Sequence, residues 1–156
     1  MFGKKNLTLG DVAKVTRKMV GEATIDNEEG LVKFGSNGMG FIVGIDDGYV
    51  CIHTGIGLPS ELMPFAPAAA VKAQQQTNGV KVFPLDQLDG VWMAAEAVCR
   101  TRGQYRDFLK ASLSSISEAE DVLHTELEAL FNGQDSPYPG FFADEPQAAG
   151  DVKVFS

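Results

Sequence analysis

Residues 80–131 read VKVFPLDQLDGVWMAAEAVCRTRGQYRDFLKASLSSISEAEDVLHTELEALF, and this stretch decides the fold. Its second half predicts one long amphipathic helix over 102–131. Thr101 is a good N-cap, with Gln104 three residues on, the spacing of a capping box. Apolar residues then recur at Tyr105, Phe108, Leu109, Leu113, Ile116, Leu123, Leu127 and Leu130. Those steps are mostly three, four or seven, so the side chains form one stripe. Ala119 keeps the stripe open, and Asn132-Gly133 supplies a left-handed stop. Such a helix is a rod of roughly 44 Å, as long as a small domain is wide. The first half of the stretch predicts two strands, 80–84 and 91–99. A helix of this length packs across a sheet.

Upstream, the period changes. Thr8 starts a short helix with Asp11 as its capping partner, Leu7 and Val12 as a hydrophobic staple, and Gly21 at its end. Its apolar stripe is Val12, Val15, Met19 and Val20. From residue 22 to 58 apolar residues alternate, and 23–26 is a weak strand. Strands are expected at 31–34, 39–45 and 49–56. Asn37-Gly38 and Asp47-Gly48 turn the chain between them, and such short loops make an antiparallel meander. Residues 57–68 hold Gly57, Pro59, Pro64 and Pro67 and break the pattern. A short Ala- and Gln-rich helix follows over 68–76, with Pro67 at its first position. No internal repeat organises the chain apart from its hairpin turns. The order is helix, three or four strands, helix, two strands, long helix. That is an α+β fold, an antiparallel sheet with the long C-terminal helix packed on it. Residues 1–132 form a single domain in this reading. Residues 133–156 form an acidic tail with three prolines, Tyr138, Phe141 and Phe142, expected to be flexible.

Composition narrows the function classes. Of 156 residues, 44% are hydrophobic, and the formal net charge is -8. The charge is uneven, since residues 1–78 hold 7 Lys/Arg against 8 Asp/Glu and residues 79–156 hold 6 against 13. Such a surface repels nucleic-acid phosphate and anionic lipid, so neither is an expected partner. Glu118, Glu120, Asp121, Glu126 and Glu128 line the polar face of the long helix. A basic N-terminal patch of Lys4, Lys5, Lys14, Arg17 and Lys18 is placed to meet that acidic face, within a chain or between chains. The opening residues lack an apolar run after Lys4 and Lys5, and two unpaired cysteines make no disulfide framework. A reducing cytoplasm is the expected location.

The order of elements resembles the type III secretion chaperone-like fold, α-β-β-β-α-β-β-α. Within it, Asn78-Gly-Val-Lys-Val-Phe-Pro84, then Asp89-Gly-Val-Trp-Met-Ala-Ala-Glu-Ala97, then the long helix with Phe108, Leu109, Leu113, Ile116, Leu123 and Leu127, is similar to the YbjN family. Members of that family are held to regulate bacterial sensory transduction. The resemblance spans about residues 23–131, and the proline-rich segment around Pro59 and Pro67 departs from it. It implies a small acidic homodimer that binds protein segments without a cofactor, and it transfers no catalytic residue.

Other candidate chemistry is thin. Gly35-Ser-Asn-Gly-Met-Gly40 lacks the Gly-Lys-Ser/Thr ending of a phosphate loop and joins two strands. Asp46, Asp47, Asp86 and Asp89 lack calcium-loop spacing and suit turns. His124 sits at the edge of the helical stripe. Cys51 and His53 lie two apart on one strand, and Cys99 is a possible third member of a metal or thiol site. That set is the alternative reading, a small-ligand binder or enzyme. Glu96 needs a partner if it faces the core, and Arg100 shares its face. The favoured reading is a non-enzymatic protein-binding module, chaperone-like or regulatory, acting as a homodimer. An exposed sheet edge would accept an extended peptide. Phe41, Tyr49, Trp92 and Met93 are the large side chains expected to contact a partner if they are exposed.

Overall fold

The computed structural model describes residues 6–138. Helix α1 (Leu9–Val20) leads into strands β1 (Thr24–Asp26), β2 (Leu31–Ser36), β3 (Met39–Asp46) and β4 (Tyr49–Gly57). A 3-10 turn, Ser60–Phe65, feeds α2 (Ala66–Gln76), followed by β5 (Lys81–Leu85), β6 (Gly90–Val98) and α3 (Arg102–Phe131). The six strands form one antiparallel sheet in the order β1-β2-β3-β4-β6-β5. The fold is α+β, and α3 has the limits its cap and stop dictate. Thr101 Oγ1 accepts the Gln104 N–H, and Gly133 follows in the left-handed region. The weak strand at 24–26 is real, so four strands precede α2 instead of three. The proline-rich segment is not a plain break, because it winds as the 3-10 turn and α2 begins at Ala66.

One face of the sheet carries the core. In register across it lie Val32, Val43, Ile52 and Ala95, and beside them Phe34, Phe41, Thr54, Met93 and Val82. All are buried, and the Phe34 and Phe41 rings stack with centroids 5.0 Å apart. All three helices pack on this face. From α3 come Tyr105, Leu109, Ile116, Ala119, Leu123 and Leu127. From α2 come Ala66, Ala69, Ala70 and Ala73, whose small side chains let it approach α3 and β5 closely.

One expectation about charge is corrected. Glu126 is not on the solvated face of α3. It is 4% exposed, because residues 133–138 fold back and bring the Ser136 hydroxyl to its carboxylate at 2.5 Å. The first residues assigned to the tail therefore belong to the packed domain, with Tyr138 against the core. The remainder of the tail, with Phe141 and Phe142, lies outside the described residues, as do Lys4 and Lys5. The ion pair seen between α1 and α3 has the opposite sense to a meeting of the basic patch with the acidic face within the chain. Asp11 on α1 meets Arg102 on α3 at 2.7 Å, while Arg17 donates to the Ala23 carbonyl.

Tyr105 ties α1 to α3 through a buried hydrogen bond. Thr16 Oγ1 spends its proton on the Val12 carbonyl, so the Tyr105 hydroxyl donates to Thr16 at 2.8 Å. Burial pushes the Tyr105 pKa up to about 12. An unfolded tyrosine ionises near 10, so the unfolded state releases this proton first as pH rises. The Tyr105 contribution is complete below pH 10 and is lost through the window from 10 to 12, a fall of at most about 3 kcal/mol. Urea midpoints at pH 9 and pH 11.5 should differ more in wild type than in Tyr105→Phe. Equal differences would mean that this hydroxyl is not the buried titrating group.

Candidate functional site

No helix among the described residues covers the other face of the sheet. Strand alternation sets what it displays, because successive side chains point to opposite faces. One row across it is Lys33, Ile42, His53, Ala94 and Lys81. A second is Leu31, Gly44, Cys51 and Glu96, and a third is Asp46, Tyr49 and Val98. Gly55, Trp92 and Phe83 make a fourth. Tyr49 is 47% exposed, Val98 59% and Phe83 38%. The β4-β6-β5 side of this face thus carries exposed aromatic and apolar side chains around a polar cluster.

The aromatic part is fixed by contacts within the face. The Trp92 ring lies over Gly55, where a Cβ would fall 2.6 Å from Trp92 Cζ3. On its other side Trp92 meets His53, with centroids 5.2 Å apart and planes tilted by 49°. His53 Nδ1 is buried with no hydrogen-bond partner among the described residues, and burial holds the imidazole below its ordinary pKa. The polar members form one cluster. Lys81 Nζ donates to Glu96 Oε1 at 2.6 Å, and the Tyr49 hydroxyl is near enough to the same carboxylate to influence it. Lys81 first, and Tyr49 second, hold the Glu96 carboxyl below the usual range. Glu96 in turn raises both Lys81 and Tyr49. Glu96 therefore faces outward and its partner is Lys81, not Arg100.

The four large side chains expected at a partner surface divide by face. Trp92 and Tyr49 are on the uncovered face. Phe41 and Met93 are core residues, 2% and 0% exposed, and no partner reaches them while the domain is folded. Trp92 and Met93 are neighbours on one strand, so one of the two had to be inside. The sequence reading missed Phe83 and Val98. Strand parity was the available signal, since Val98 shares the parity of Trp92, and Phe83 that of Lys81.

Parity also separates the proposed three-residue site. Cys51 and His53 share the outer face. Cys99 follows β6 in the parity of Met93 and Ala95, and it is 1% exposed on the core side. The three do not converge. Among the described residues, no group of three His, Cys, Asp or Glu side chains is placed to hold a metal ion. Burial is the first cause raising both thiols, with the Glu96 charge adding at Cys51. A thiolate nucleophile needs the opposite shift. A disulfide reagent at pH 7.5 should modify Cys51 at least about tenfold more slowly than free cysteine, and Cys99 only as the protein unfolds. Labelling of either faster than free cysteine would restore the nucleophile reading.

With this geometry in place, the molecule can be compared with solved structures. It is similar to the crystal structure of YbjN, a proposed transcription regulator from E. coli, with a TM-score of 0.54. The match covers 80% of this chain and 93% of that one, at 16% sequence identity. The likeness is one of fold. No protein-family model matches the sequence, and no curated protein does. No helix among the described residues is long and apolar enough to cross a membrane.

Proposed function

We propose that this chain is a small non-enzymatic protein-binding module, chaperone-like or regulatory, that works as a homodimer through its uncovered sheet face. One observation carries the reading. Tyr49 and Val98 at one end, and Trp92 and Phe83 toward the other, are displayed on a face that no helix among the described residues packs against, with the Lys81–Glu96 pair between them. Exposed aromatic side chains on such a face are frequent anchors of a protein interface. The size fits as well. Six strands at ~4.8 Å spacing and strands of about 20 Å bound a face of roughly 600 Å², near the ~800 Å² that each partner buries in a stable interface.

The make-up of the face favours a second copy. Its β2-β3 half sets Gly35, Gly40 and Gly44 among Leu31, Lys33 and Ile42, while its β6-β5 half carries Trp92 and Phe83. A twofold axis along the strands sets the β2-β3 half of one copy against the β6-β5 half of the other. The net charge of -8 supports a protein partner over nucleic acid or an anionic membrane. The YbjN likeness supports a regulatory role to the extent of that protein's own description.

Native mass spectrometry of the untagged protein tests this. A dimer, bare or carrying a polypeptide, is expected. The double variant Tyr49→Asp and Phe83→Asp should be monomeric while keeping the far-ultraviolet circular dichroism of the folded wild type. A wild-type monomer, or a monomer holding a metal or small-molecule mass, would overturn the proposal.

A further inference from the structure

On the β5 side of the sheet, one strand stops short of its neighbour. β4 pairs with β6 from Gly90 to Val98, whereas β5 pairs only from Gly90 to Ala94. Residues 95–98 of β6 therefore have a ladder on one side alone. The direction of the free groups follows from alternation. The Cys99 N–H donates to the Gly48 carbonyl on the β4 side, so the peptide groups of Glu96 and Val98 point to the open side. Gly79, with φ at +75°, turns the chain off the line that β5 would otherwise continue. Next to the gap is a groove of about 210 Å³ lined by Gly79, Ala95, Ala97, Phe108, Ala111 and Ser112. The outer edge of β5 is treated differently. Pro84 has no N–H to offer, and the Val82 N–H is occupied by Gln74 Oε1 at 2.8 Å.

The occupant is written in the sequence. Val80-Lys81-Val82-Phe83 opens β5, and the same four residues recur as Val152-Lys153-Val154-Phe155. In β5 this tetrapeptide puts Val82 into the core and Lys81 and Phe83 on the outer face, with Lys81 on Glu96. We propose that residues 152–155 add as a strand to the open edge of β6 in their own molecule, in the parity of β5. Val152 and Val154 then meet the groove beside Phe108 and Ala111, and Lys153 comes to the Glu96 side of the sheet. Lys153 is the sole Lys or Arg after Lys110, in a half-chain with 13 acidic residues. Charge thus favours the same register as strand alternation.

The reach is sufficient. Ser136 is held at Glu126, and Ser112 lies 14 residues back along α3, about 21 Å. Residues 139–151 span up to roughly 45 Å when extended. A relaxed chain of that length averages about 20 Å end to end. This inference goes beyond the proposed function, because the edge and the uncovered face are different surfaces.

Amide hydrogen exchange followed by NMR tests it on three proteins. These are the full chain, the chain shortened to end after Gly150, and Lys153→Pro, which removes a ladder donor. The Glu96 and Val98 amides should exchange at least tenfold more slowly in the full chain than in either variant. Met93, whose N–H faces β4, should be unchanged. The peptide Asp151–Ser156 added at millimolar concentration should restore protection in the shortened chain. Equal rates in all three proteins would overturn the proposal. Protection in the full chain that vanishes on hundredfold dilution would overturn it too, since the strand would then come from a second copy.

Discussion

Gly90→Ala is expected to destabilise the protein strongly, while Gly57→Ala, directly across the ladder, stays close to wild type. The two glycines are register partners where β4 ends and β6 begins. Their surroundings differ. A Cβ at position 90 would fall 2.2 Å from the Ile56 carbonyl oxygen and 3.2 Å from Gly57 Cα. Those are backbone atoms, and no rotamer change relieves them. Accommodating the methyl means separating β4 from β6 at the end of their ladder. That also strains the Leu58 N–H to Asp89 carbonyl bond of 2.9 Å. Overpacking of this kind costs ~1–3 kcal/mol, and each ladder hydrogen bond lost adds about 1, so a total of about 3 kcal/mol or more is expected. A Cβ at position 57 meets nothing within 4 Å, and its φ is not positive. That variant should lie within about 1 kcal/mol of wild type. Urea midpoints of the two variants check this, and near-equal midpoints would mean that the close approach at Gly90 carries no weight.

That close approach illustrates what the sequence could and could not disclose. Local signals were legible wherever a single residue type forces a conformation. Asn37 and Gly38 take φ of 53° and 78°, and Asp47 and Gly48 take 50° and 83°, the left-handed pairs that two-residue hairpin turns require. The limits of α3 were legible for the same reason, from Thr101 at one end and Gly133 at the other. Gly90 carries no such signal. Its necessity arises from the position of Ile56 on another strand, and nothing near residue 90 in the chain encodes it. The segment Ser60–Phe65 was obscure in a related way. Three prolines within nine residues exclude a regular helix but leave open whether the chain coils tightly or extends, and packing against α2 and α3 decides it.

The candidate face was half legible. Alternation says that Trp92 and Met93 point opposite ways, and that Cys51 and His53 point the same way. It does not say which side three helices will cover. Met93 and Trp92 were equally eligible for the core until α3 and α2 took the Met93 side. The Cys99 question needed register between two strands, since its distance from Cys51 depends on Cys51 pairing with Glu96. Glu126 shows the limit of helical periodicity. It lies between Leu123 and Leu127 and reads as an edge position, yet residues 133–138 fold over it, a tertiary event that no period in the helix records.

The helix that decides the fold gives the second large effect. Leu123→Ala is expected to cost about 3–4 kcal/mol, because deleting a fully buried leucine side chain loses its transfer energy and leaves a cavity that the neighbours only partly fill. Leu123 is 0% exposed, and it belongs to the core that joins α1, α2, α3 and the sheet. Phe131, eight residues on, is a larger side chain on the same helix, but it is 54% exposed. Its ring meets Phe65 edge-on, with centroids 6.3 Å apart, and such a contact contributes about 0.5–1.5 kcal/mol. Phe131→Ala should therefore be the milder variant although it removes more atoms. Denaturant slopes should stay at the wild-type value in both, showing that stability has changed and not the compactness of either state. If Leu123→Ala costs less than about 1 kcal/mol, the surrounding side chains can collapse into the space, and the core does not depend on α3 as a rigid spine.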